Sequence, residues 1–211
     1  MEPMNYLEEL IERYPVLADV KPQIREAYEI LESCYENGGK LLIAGNGGSC
    51  ADAEHIVGEL MKGFVKRRPV SEDFAAKLLA ADPVLGKELG GKLQGGLPAI
   101  ALTGHPSLST AFLNDVDGGL IYAQQTYGYG KKGDVLLGIS TSGNAKNVMY
   151  AVTAAKAIGM KTIGLSGKDG GLLKKAADVT VVVPEKETFK IQELHLPVYH
   201  ALCLMLEERF F

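Results

Sequence analysis

The sequence predicts an α/β fold: a three-layer α/β/α sandwich with a five-stranded parallel sheet covered by helices on both faces. Two observations predict it. Five short apolar runs alternate with stretches of helical periodicity, and two of those runs open directly into glycine- or serine-bearing turns that lead into helices. At 211 residues the chain fits one domain, 1–211, with elaborations.

The elements follow in order. Residues 1–38 read as an N-terminal helical arm. Leu7, Leu10 and Ile11 sit at helical spacing within 6–14, and Ile24, Ala27, Tyr28, Leu31 and Cys34 form one stripe of a second helix over 22–37, stopped by Asn37-Gly38-Gly39. Two amphipathic helices carry more apolar face than one small sheet needs, so part of the arm is expected to pack on another subunit.

Residues 41–44, Leu-Leu-Ile-Ala, form the first strand, followed by the turn Gly45-Asn46-Gly47-Gly48-Ser49 and a helix from Cys50 to about Gly63. A turn with so little side chain lets a ligand approach the backbone, and the helix N-terminus offers unpaired N–H groups to an anion. Phosphate is the expected guest. His55 and Glu59 share a face of that helix, one turn apart.

Residues 62–96 read as an insertion of one or two short helices, with starts at Ser71 and at Asp82-Pro83. Lys62, Lys66, Arg67 and Arg68 precede them and read first as solvated surface, with a substrate-facing cluster as the alternative. A second strand spans 97–103, and helices over 107–114 and 120–127 flank the turn that starts at Asp115. The third strand, 134–139, runs into Ser140-Thr141-Ser142-Gly143-Asn144 and a helix over 145–158. Hydroxyls and helix-terminal amides together satisfy phosphate oxygens without a lysine. Alone this turn would pass for a cap, but its partner at Gly45 favours phosphate.

A fourth strand covers 161–165, a short helix 172–177, and a fifth strand 179–183. Parallel sheets bind ligands beyond the strand C-terminal ends, at the point where strand order reverses, so both turns can share one crevice. The last helix, 188–211, supplies Gln192, His195 and His200. Gln192 and His200 fall within ~80° on a helical wheel and can face one cleft, with Pro197 between them. His195 reads as a structural histidine.

Composition narrows the function. Hydrophobic residues at 46% and charged ones at 23% are those of a soluble globular protein, and a net charge of −4 argues against a general nucleic-acid binder. No apolar run approaches the ~18 residues of a membrane span, and the acidic start is unlike a signal peptide, so a cytoplasmic protein is expected. Three cysteines without metal-site spacing read as reduced packing residues.

The motifs GNGGSCADAEHIVGE, ISTSGNAKNV, IGLSGKDGG and IQELHLPVYH, in this order, together resemble bacterial sedoheptulose 7-phosphate isomerases, or phosphoheptose isomerases, of the sugar isomerase (SIS) fold. The resemblance covers most of the chain outside 62–96. It implies a flavodoxin-like five-stranded sheet, a homotetramer with active sites between subunits, and a ketose–aldose interconversion serving heptose biosynthesis. It further implies that Ser49, Ser140, Thr141 and Ser142, on the Gly47-Gly48 and Gly143 turns, hold the phosphorylated end, that Asn46, Asp115 and Gln192 contact the sugar, and that Glu59 and His200 carry the proton transfers. Some members bind zinc at the positions of His55, Glu59, Gln192 and His200, a donor set suited to that ion.

The chemistry asks for such residues independently. Moving a carbonyl from C2 to C1 requires taking a carbon-bound proton to give an enediol and returning one to the neighbouring carbon. A carboxylate and an imidazole do this near neutral pH. The sequence departs from the pattern at Ala145, where the family often has another serine, and at Phe189, where some members place an aspartate. The alternatives are an isomerase of another sugar phosphate, a non-catalytic relative binding a replication-initiator protein, and a sugar-phosphate sensor.

Overall fold

All five expected strands form: β1 (Leu41–Gly45), β2 (Ala99–Ala101), β3 (Val135–Ser140), β4 (Lys161–Ser166) and β5 (Val179–Val182). In the computed structural model, which describes residues 2–211, they build one parallel sheet in the order β2-β1-β3-β4-β5. The chain leaves β1 for one edge through β2 and returns to the other side through β3. That reversal lies between β1 and β3, whose register pairs Leu41 with Val135 and Gly45 with Ile139. Their C-terminal ends are therefore level, and the two turns that follow open one crevice.

Side-chain alternation assigns the layers. Leu41, Ile43, Val135, Leu137, Ile139, Ile163 and Leu165 point to the face covered by α1 (Pro3–Arg13), α2 (Lys21–Glu36), α3 (Gly48–Met61) and α10 (Thr188–Phe210). Leu42, Ala44 and Leu136 point to the opposite face, under α7 (Ile121–Tyr129), α8 (Lys146–Ile158) and α9 (Gly171–Ala176). The remaining helices are α4 (Glu72–Ala81), α5 (Leu85–Lys92) and α6 (Pro106–Asp115). β2 is an edge strand, three residues long where seven were expected.

Leu7, Leu10, Leu17, Ile24 and Leu31 are all buried within the chain, so this part of the arm's apolar stripe covers the sheet and α10, while Val16 stays half exposed. One expectation changes: Arg68 is no solvated residue. It is 1% exposed and paired with Glu207 of α10, Nε to Oε1 at 2.8 Å. The helix starts inside 62–96 hold. Ser71 Oγ accepts from Phe74 N, and Asp82 Oδ1 accepts from Val84 N and Leu85 N. α4 and α5 pack on each other, leaving Phe74, Leu79, Leu85 and Leu89 exposed. Their stem is closed by Gly63 N donating to Gln94 Oε1 and Gly95 N donating to the Arg68 carbonyl.

Candidate active site

A cavity of about 290 Å³ opens at the β1/β3 reversal, lined by Asn46, Gly47, Gly48, Ser49, Ile139, Ser140, Thr141, Ser142, Ala145, Thr188 and Gln192. The first residues of α3 and α10 and the residue ahead of α8 all contribute, so three helix N-termini, with their unpaired amides, border it. No charged side chain is among the lining residues. The turn after β3 is braced from behind: Gly143 N donates to the Ser140 carbonyl, Asn144 Nδ2 to the Ser142 carbonyl, and Leu172 N to Asn144 Oδ1. At Gly143, with φ +67°, a Cβ would collide with the Gly170 carbonyl oxygen. The Ser-Gly-Lys-Asp-Gly-Gly segment after β4 therefore supports the cradle without lining it. Across the crevice, Asn46 and Asn147 exchange amide hydrogen bonds at 2.9 and 2.8 Å, and the Tyr122 hydroxyl donates to the Gly45 carbonyl at 2.6 Å.

A second cluster lies further along the same two helices. His55 Nε2 is 3.2 Å from Glu59 Oε1 on α3 and 3.5 Å from His200 Nε2 on α10. Glu59 Oε2 accepts from Lys62 Nζ at 3.0 Å, and the Phe64 ring tilts against His200 with centroids 5.3 Å apart. The Tyr199 hydroxyl stands 3.0 Å from His55 Nδ1 and 3.2 Å from Asp52 Oδ1. Burial, and then the neighbouring His55, hold the His200 imidazole below its usual range, so near neutral pH it is uncharged. Burial pushes the Asp52 carboxyl up.

The structure thus gathers the site residues read from the sequence into two groups. Asn46, Gly47, Gly48, Ser49, Ser140, Thr141, Ser142 and Gln192 share the cavity, while His55, Glu59 and His200 share the cluster. Asp115 joins neither: it ends α6, exposed, accepting from Asn114 Nδ2 at 2.7 Å. Thr188 was missed, and a threonine opening a helix gives no signal beyond that of a cap. His195 is structural as read: fully buried, with Nε2 3.2 Å from the Ser166 carbonyl, and burial pushes its pKa down to about 4.

For zinc the donor chemistry of the cluster is suitable, and its two separations approach the ~3.3 Å between neighbouring ligand atoms at zinc–ligand distances near 2.0–2.1 Å. In the arrangement seen the side chains hydrogen-bond one another, and among the described residues no three His, Cys, Asp or Glu close on one point. Gln192 stands with the other group, against Gly48.

A family model described as the SIS domain matches residues 5–82 and 92–167, which leaves 83–91 of the 62–96 connection unmatched. The phosphoheptose isomerase of a Nitratiruptor species is 40% identical over 206 residues, covering 96% of this chain and 96% of that protein. That of Helicobacter pylori is 37% identical over 194 residues, covering 92% and 88%. Among solved structures, a phosphoheptose isomerase from Francisella tularensis superposes with a TM-score of 0.73 at 32% identity, over 97% of this chain and 95% of that one. The one from Neisseria gonorrhoeae gives 0.68 at 33% identity, over 93% and 96%.

Proposed function

This chain belongs to the phosphoheptose isomerases of the SIS domain family, and we propose that it is an aldose–ketose isomerase converting D-sedoheptulose 7-phosphate to D-glycero-D-manno-heptose 7-phosphate in the cytoplasm. The observation that carries the reading is the pairing of an uncharged, amide- and hydroxyl-lined cradle with a carboxylate–imidazole cluster on the same two helices.

Ser49, Ser140, Thr141 and Ser142, with the helix-terminal amides, receive the phosphate. Asn46 and Gln192 orient the sugar hydroxyls. Glu59 takes the proton from C1 and returns one to C2, so that the carbonyl moves from C2 to C1 with no net change in atoms or electrons. His200, uncharged, carries protons between the two oxygens of the enediol. Zinc, where held, would sit on His55, Glu59 and His200 and supply polarisation of the carbonyl.

The active site forms between copies of the chain, in a homotetramer. What supports this is Asp115, which the resemblance assigns to the sugar but which joins neither group within one chain and stands exposed, open to a neighbouring copy.

A second reading, isomerisation of a different sugar phosphate, is favoured by Phe189, which is 56% exposed beside the cavity-lining Thr188 and stands where some members of the family place an aspartate. Turnover of sedoheptulose 7-phosphate by the purified chain, with and without added zinc and beside Glu59→Gln, is the test. Aldose formed by the wild type and lost in the variant supports the reading. No product under any metal condition, with phosphosugar still bound, moves it to another sugar or to a binding protein. A monomeric mass in solution removes the shared site.

A further inference from the structure

We propose that Arg68 is a positioning residue of the isomerase, fixing the catalytic carboxylate of Glu59 relative to His200; the proposal rests on the reading above. Arg68 is the largest of the fully buried side chains, and its guanidinium holds three acceptors at once. Nε donates to Glu207 Oε1 at 2.8 Å, Nη1 to the Leu60 carbonyl at 2.8 Å, and Nη2 to the Glu59 carbonyl at 3.2 Å. Those carbonyls belong to the last turn of α3, which has no intrahelical donor left for them, and a cation is favoured there by the helix dipole. The ring of Phe211 lies over the guanidinium at 4.4 Å.

The other half of the clamp is on α10. Glu207 stands two helical turns beyond His200 and also accepts from the backbone N–H groups of Phe64, Val65 and Lys66 at 2.8, 2.9 and 3.1 Å. Phe64 is the residue whose ring meets His200. One buried ion pair therefore ties the turn bearing Glu59, the ring beside His200 and the helix bearing His200 into a single unit. A buried pair adds little net stability over well-packed apolar side chains of similar volume. What apolar residues could not supply is the fixed geometry, since a planar fork satisfies three acceptors in set directions.

The test uses the full chain with Arg68→Lys and, separately, the charge-free pair Arg68→Met with Glu207→Leu. A lysine still meets Glu207 but cannot hold both carbonyls in the same directions. The expected result is a fall in kcat of about tenfold or more, as a misplaced catalytic group gives, with KM changed less than twofold because the phosphate cradle is untouched. Unfolding should remain a single transition in both variants. A folded variant with wild-type kcat overturns the proposal, as does an activity loss that only follows the fraction of folded protein. A wild-type chain without turnover overturns the isomerase reading and this proposal with it, whereas an active wild type beside an equally active Arg68→Lys overturns this proposal alone.

Discussion

The side-chain amide of Gln192 occupies the space a Cβ on Gly48 would need, with Nε2 and Cδ both well inside van der Waals contact of where that carbon would be. The first turn of α3 and the first turns of α10 meet at this contact, and both line the cradle. Gly48→Ala is expected to push the amide away from the sugar. Helix propensity favours alanine and offsets part of the strain, so Tm should change little while KM rises about tenfold, the worth of one hydrogen bond of ~1–1.5 kcal/mol. Steady-state kinetics beside thermal unfolding checks it, and an unchanged KM would count against Gln192 as a sugar contact.

Asn46 and Asn147 hold one another across the crevice by reciprocal amide bonds. Removing either frees the other, so the two alanine variants should weaken phosphosugar binding by less in combination than the sum of their separate effects. A coupling of about 0.5–1.5 kcal/mol is expected. Calorimetric titration of the two single variants and the double variant measures it, and strict additivity would show that the amide pair does not set the orientation of Asn46.

Tyr199→Phe removes the one hydroxyl that faces both His55 and Asp52. Asp52 Oδ2 is already buried without a partner, and the variant would take from Oδ1 its Tyr199 donor. A loss of about 1–3 kcal/mol in unfolding free energy follows, together with a lower kcat as His55 loses its support. Denaturant unfolding reads the first and turnover the second. Stability equal to wild type would mean that water replaces the hydroxyl.

His195 sets a pH dependence of stability. Its folded pKa, about 4, lies below the unfolded 6.5, so between those values the unfolded chain binds more protons than the folded one. Stability therefore falls as pH drops from 6.5 toward 4, by about 3 kcal/mol if the whole shift is expressed. His195→Gln keeps a donor for the Ser166 carbonyl without the titration and should flatten that part of the curve. An unaltered slope in the variant would place the acid sensitivity elsewhere.

The elements were legible because strands buried on both faces read as apolar runs and helices as stripes, and both signals are local. Most of the cradle was legible for the same reason: apart from Thr188 and Gln192 of α10, its residues lie in or beside two short turns, and strand alternation with helices places those turns at one end of the sheet. Gln192 was reached by its wheel position relative to His200, which let both face one cleft; in the structure they belong to different groups. Arg68 was misread since its partner Glu207 is 139 residues away, and nothing beside it in a Lys-Arg-Arg run separates a buried cation from a solvated one. β2 was read too long because 97–102 is apolar throughout, while an edge strand with one neighbour pairs over fewer residues.

The cradle has no lysine or arginine in its wall, on a chain whose net charge is −4. Helix-terminal amides carry only partial charges, so such a pocket holds an anion mainly through close contacts. Added salt, which weakens binding wherever paired full charges supply the affinity, should therefore change the affinity for sugar phosphate little.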